Sequence, residues 1–146
     1  MPLQHSLQPH FGYRLGVLAR RWRAQVDAQL EIYGLSQATW RPLLYLVSFE
    51  GVPRQRDLAH ALQIGCPALV RVLDNLEAKQ LIERIDVDDD RRAKQVKLTA
   101  EGRRIAKRVY SIIVEIERKL LSELSPTDLA SCERAFAAIE NQLDNY

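Results

Sequence analysis

Three observations predict a mainly α chain with one small β hairpin. Apolar residues recur at helical spacing over most of the length. Two short helical segments flank a three-residue turn, Gln63-Ile64-Gly65. Directly after them comes LIERIDVDDDRRAKQVKLT, Leu81 to Thr99, which alternates apolar and polar residues at its ends around a charged centre. Short helix, tight turn, second helix and basic hairpin together describe a winged helix-turn-helix, here with long helices on its N- and C-terminal sides.

With 146 residues the chain is expected to form a single domain, 1–146. An apolar fraction of 47% is enough for a real core. No apolar run approaches the roughly 18 residues of a membrane span, and MPLQHSLQPH has no apolar signal core, so a cytoplasmic protein without a membrane partner is expected. Cys66 and Cys132 lie far apart and match no metal spacing, which predicts reduced thiols and neither metal nor cofactor. The net charge of +2 is uninformative, but its distribution is not: Arg91 to Arg108 holds eight cations and one acid, Glu101, while residues 109–146 are net acidic. A local basic footprint of this kind attracts a polyanion.

Taken in order, Leu15, Leu18, Trp22, Val26 and Leu30 mark a first helix, which Gly34 ends by taking a left-handed conformation. Ser36 caps a second helix holding Trp40, Leu43, Leu44 and Val47, with Pro42 a few residues in. After a break at Glu50-Gly51-Val52-Pro53 come the two short helices, Gln55 to Leu62 and Cys66 to Lys79. Leu58, Ala59 and Leu62 form one apolar face; Leu69, Val72, Leu73 and Leu76 form the other. Pro67 stands in the first turn of the second, where a missing amide hydrogen costs little. The hairpin tip, Asp88-Asp89-Asp90, suits a turn because Asp bonds its own backbone. Thr99 caps a long helix reaching about Leu124 with a stripe of Ile105, Val109, Ile112, Ile116 and Leu120. Ser125-Pro126-Thr127-Asp128 opens the last helix, in which Leu129, Cys132, Phe136, Ile139 and Leu143 make a heptad-like seam and Cys132 reads as packing.

The winged lobe, 52–99, is too small to cover the apolar stripes of the terminal helices. Segments 11–34 and 105–146 can either fold on one another within one subunit or interlock with a second copy. The dimer is favoured, because it also places two recognition helices on one face of a duplex, roughly 34–36 Å apart for half-sites one turn apart. An enzyme is disfavoured: His5, His10 and His60 have no spaced acids, Ser-His pair or phosphate-cradling glycines nearby. A protein-binding winged helix and a weakly selective architectural DNA binder compete with the specific reader.

LVRVLDNLEAKQLIER (Leu69 to Arg84) and DDRRAKQVKLTAEG (Asp89 to Gly102), in register with the full order of elements, resemble the MarR family of bacterial transcription regulators, and within it the SlyA-like branch. The second string fits an Asp-x-Arg wing signature and a Leu-Thr helix start at Asp90, Arg92, Leu98 and Thr99. The resemblance implies a homodimeric regulator of double-stranded DNA, repressor or activator, on a pseudopalindromic promoter site. Arg71 matches the recognition-helix arginine that approaches bases, and Arg92 the wing-tip arginine, with Arg91 beside it. The chemistry agrees: a guanidinium can bond guanine O6 and N7 together, and a narrow minor groove favours Arg. Gln55, Arg56 and Lys94 are read as phosphate positioners; Pro67 and Ala68 join them on the leading turn, where Ala68 can meet a thymine methyl.

Three places depart from the family pattern. Arg54 replaces a capping Ser or Thr, Gln80 replaces a glycine before the wing, and Gly65, Cys66 and Ala68 replace polar residues at the start of the recognition helix. The resemblance also implies release by a small aromatic carboxylate, with Arg20 and Trp40 matching crevice positions. Cys66, at a helix N-terminus, is expected to stand passively near the DNA, with a thiol-responsive regulator as the alternative.

Overall fold

The computed structural model describes residues 7–87 and 90–146, with residues 7–9, Gln37, Asp90, Arg91 and Arg92 described in backbone only. Six α-helices and two strands follow in order: α1 Leu7–Leu30, α2 Gln37–Ser48, α3 Gln55–Leu62, α4 Cys66–Ala78, β1 Ile82–Val87, β2 Asp90–Leu98, α5 Ala100–Leu120 and α6 Pro126–Asp144, with a single 3-10 turn, Glu31–Tyr33, after α1. The chain divides into two compact units, one ending at Ile113 and the other Val114–Tyr146.

In the first unit the helices and both strands contribute to one core. Leu30, Leu43, Leu58, Leu69, Leu73, Leu76, Ile82, Val96 and Val109 are all fully buried; a buried aliphatic side chain of this size contributes about 1.5–3 kcal/mol. The period decides which residues go in: Leu69, Leu73 and Leu76 step by four and three along α4, whereas β2 buries alternate residues, Val96 and Leu98. α1 joins this core only near its C-terminal end, through Val26 and Leu30, while Leu15 and Leu18 remain exposed. Gly34 ends the 3-10 turn at φ 67°, its N–H donating to the Glu31 carbonyl. At the start of α2, Ser36 occupies the cap position and its N–H donates to Thr39 Oγ1 at 2.8 Å.

α3 starts without a side-chain cap, as the arginine at position 54 foretold. Arg54 is instead held by its backbone, which bridges to Gln95 of β2. The Val96 N–H donates to the Pro53 carbonyl at 3.0 Å, and Gln95 Nε2 to the Val52 carbonyl at 3.2 Å. The segment entering the helix-turn-helix is thereby pinned along the returning strand of the wing.

β1 and β2 pair antiparallel, with Ile82 opposite Leu98, Glu83 opposite Lys97, Asp86 opposite Lys94, and a register shift between Asp86 and Val87. The two cross-strand acid–base pairs favour this register. Of the expected tip, Asp90 belongs to β2 and pairs with Val87, while Asp88 and Asp89 lie outside the described residues.

A tight junction joins α4, the hairpin and α5. Gln80 adopts a left-handed φ of 59°, so the position keeps the conformation a glycine would favour. Thr99 Oγ1 donates to the Gln80 carbonyl at 2.7 Å and accepts the Gly102 N–H at 2.9 Å, while the Thr99 N–H donates to the Leu81 carbonyl at 3.1 Å. One threonine thus caps α5 and fastens it to the chain leaving α4.

The long helix ends earlier than its apolar stripe suggests, at Leu120 instead of about Leu124. The reason lies just downstream: Ser125 must be extended (φ −74°, ψ 161°) ahead of Pro126, which leaves residues 121–124 to make the turn. α6 then opens with a reciprocal cap, Ser125 N–H to Asp128 Oδ2 at 3.0 Å and Asp128 N–H to Ser125 Oγ at 3.1 Å. No residue of α6 is buried. Cys132, read from the sequence as packing, is exposed, while Leu129 and Ile139 of the same seam are half-buried.

Candidate nucleic-acid interface

α3 and α4 meet across the turn at 63–65, with Gln63 left-handed at φ 54°. The buried stripe of α4 fixes the opposite face outward. Ala68, Arg71, Asn75 and Ala78 lie on that face at spacings of three and four, with Pro67 four residues before Arg71, and all are exposed. Among the described residues the Arg71 guanidinium has no hydrogen-bond or ion-pair partner, so its donors are available to an external acceptor.

The other candidates flank this face to different degrees. Arg56 on α3 is exposed, with only a loose contact of 3.8 Å to the exposed Asp57. Gln55 is half-buried, and its Oε1 is out of solvent and unpartnered among the described residues. Lys94 is exposed on β2. Arg91 and Arg92 belong to β2 by backbone, but their side chains lie outside the described residues.

Sequence reasoning missed what holds α4 to the hairpin. Arg84 on β1 reaches back across the helix, with Nη2 donating to Asp74 Oδ1 and Nε to Glu77 Oε2, each at 2.6 Å. Asp74 and Glu77 are one turn apart on α4, so one guanidinium can engage both. Burial disfavours the Arg84 charge, but the hydrogen bonds to the two carboxylates outweigh it and its pKa is raised. The signal was present in the string from Asp74 to Arg84, as two acids at i, i+3 followed by an arginine past the turn.

The two crevice candidates differ in exposure. Trp40 is buried and its Nε1 donates to Asp27 Oδ1 at 3.0 Å, which satisfies the indole inside the fold. Arg20 is exposed on α1. Cys66 is an exposed free thiol at the first residue of α4. Among the described residues no cluster of three or more His, Cys, Asp or Glu could hold a metal ion, and no helix is long and apolar enough to cross a membrane.

A two-helix reader with an outward arginine, followed by a two-stranded wing, defines the winged helix-turn-helix class. Residues 33–93 match the sequence profile of the MarR family. The chain is similar to the solved transcriptional regulator PA3341, with 34% identity over 93% of this chain and 99% of that one, at a TM-score of 0.83. It is also similar to MepR of S. aureus, solved as a complex with DNA, at 28% identity over 91% and 97% and a TM-score of 0.82. AbsC, a MarR family transcriptional regulator from Streptomyces coelicolor, shares the fold at a TM-score of 0.84 with 24% identity over 97% of both chains. This chain belongs to the MarR family.

Proposed function

We propose that the protein is a transcriptional regulator that binds double-stranded DNA sequence-specifically, as a homodimer on pseudopalindromic promoter sites. α4 enters the major groove, where Arg71 reads base edges, and the hairpin enters the flanking minor groove, led by Arg92 with Arg91 beside it. Arg56, Gln55 and Lys94 hold phosphates, while Pro67 and Ala68 approach bases from the leading turn. The observation that carries this reading is the unpartnered Arg71 on the exposed face of α4, opposite a stripe of fully buried leucines.

Dimerisation through 11–34 and 105–146 is supported by the apolar surface those helices leave uncovered. Leu18 is 58% exposed, Phe136 46% and Leu143 68%. A hollow of about 460 Å³ on α6 is lined by Ala138, Ile139, Gln142, Leu143 and Tyr146, four of them apolar or aromatic. Exposed apolar surface of this character marks an interface.

The SlyA-like motif strings support a place in that branch, a cytoplasmic protein associated with the nucleoid, and release by a small aromatic carboxylate near Arg20 and Trp40. The exposed Cys66 supports a second route of release, through its thiol. Weakly selective architectural binding is the competing reading of the basic wing.

Fluorescence anisotropy on duplexes selected from a random pool tests the proposal. Arg71→Ala and Arg92→Ala are expected to weaken binding at least tenfold, about the loss of one bidentate base contact, with the dimer intact by sedimentation. Unchanged affinity in both variants rejects the groove assignments.

A further inference from the structure

Resting on the reading of α4 as the groove-entering helix, we infer that this chain reads the C5-methyl groups of thymines beside the base contacted by Arg71, so that its site is marked by methyl contact as much as by hydrogen bonding. The face α4 presents carries few polar readers. Pro67 and Ala68 are exposed and apolar, Cys66 is exposed at their edge, and Gly65 precedes them with no side chain at all. Two acids further along the helix, Asp74 and Glu77, are tied to Arg84 and are not free to accept from a cytosine amine. Among the described residues that leaves Arg71 and Asn75 as the polar side chains on the outward face without a partner.

In the major groove the one apolar feature of a base pair is the thymine methyl, and Ala is among the side chains that suit it. The spacing is favourable. Pro67 and Ala68 precede Arg71 by four and three residues, about 4.5–6 Å along the helix axis. That distance corresponds to one or two base steps at about 3.4 Å each. A thymine within two steps of the guanine bonded by Arg71 therefore brings its methyl to Pro67 or Ala68.

The test uses the intact protein and the duplex most enriched from a random pool. Replacing its thymines one at a time with deoxyuridine removes the methyl and keeps every Watson–Crick hydrogen bond. At one or two positions per half-site the affinity of the natural chain should fall roughly fourfold, the value of one buried methyl-sized group. Ala68→Gly should bring the thymine-to-deoxyuridine ratio at one of those positions towards one, with helicity checked by circular dichroism. Equal affinity for the thymine and deoxyuridine duplexes, while the selected duplex still outcompetes random DNA, overturns the inference and leaves the regulator reading standing. Failure to enrich any duplex overturns the regulator reading, and the inference with it.

Discussion

Gly102 lies so close to the Leu81 backbone that a Cβ at position 102 would stand 1.8 Å from the Leu81 carbonyl oxygen. That oxygen already accepts the Thr99 N–H, and the Gly102 N–H is bound to the Thr99 hydroxyl. The first turn of α5 is thus docked backbone to backbone on the chain that leaves α4, which couples α4 to the long helix.

Neither backbone can yield cheaply, so Gly102→Ala is expected to destabilise the protein by roughly 3 kcal/mol, at the upper end for overpacking. A urea titration should show the midpoint falling with little change in slope. An unchanged midpoint would mean the close approach is not held in solution.

Gln80 gives the opposite sign. A side chain at φ 59° pays for a left-handed conformation that glycine adopts freely. Gln80→Gly is expected to stabilise by about 1 kcal/mol, raising the thermal midpoint by several degrees, and Gln80→Val to lower it.

The Arg84 clamp is worth less than its three-way geometry suggests, because Asp74 and Glu77 are 57% and 42% exposed. Arg84→Met is expected to cost about 1.5 kcal/mol, the low end for hydrogen bonds to charged groups. A double-mutant cycle with Asp74→Asn should show that the two losses are not additive, since both remove one contact.

Acid sensitivity follows from the helix caps. Hydrogen bonding from the Ser125 backbone, and then from its side chain, holds the Asp128 carboxyl below the usual range. The hydrogen bond from Arg104 does the same for Glu101. A carboxylate lowered on folding adds stability above its unfolded value, and that gain disappears as pH falls through the folded one. The stability difference between the natural chain and Asp128→Asn should therefore be flat at neutral pH and close below about pH 4.

Much of this architecture was legible in the sequence because it is local. Periodicity and turn residues gave α3 as Gln55–Leu62 and the start of α4 at Cys66, and the Ser-Pro-x-Asp start of α6 was visible in four residues. What escaped depends on which distant backbone an element meets. Nothing near Gly102 says that Leu81 will lie against it, and nothing near Trp40 says that Asp27 will stand beside its indole. The Leu120 end of α5 was hidden for another reason: apolar spacing continues to Leu124, while Pro126 dictates an earlier stop. Arg71 could be placed outward from the leucine stripe alone, whereas its lack of a partner among the described residues is visible only in the structure.

The affinity ratio between a selected duplex and random DNA, measured across salt concentrations, tests the central claim most directly. Specific reading by paired recognition helices predicts a ratio of about 10³ or more at physiological salt, with two chains bound per duplex. A ratio near one, with both affinities falling in parallel as salt rises, would contradict it.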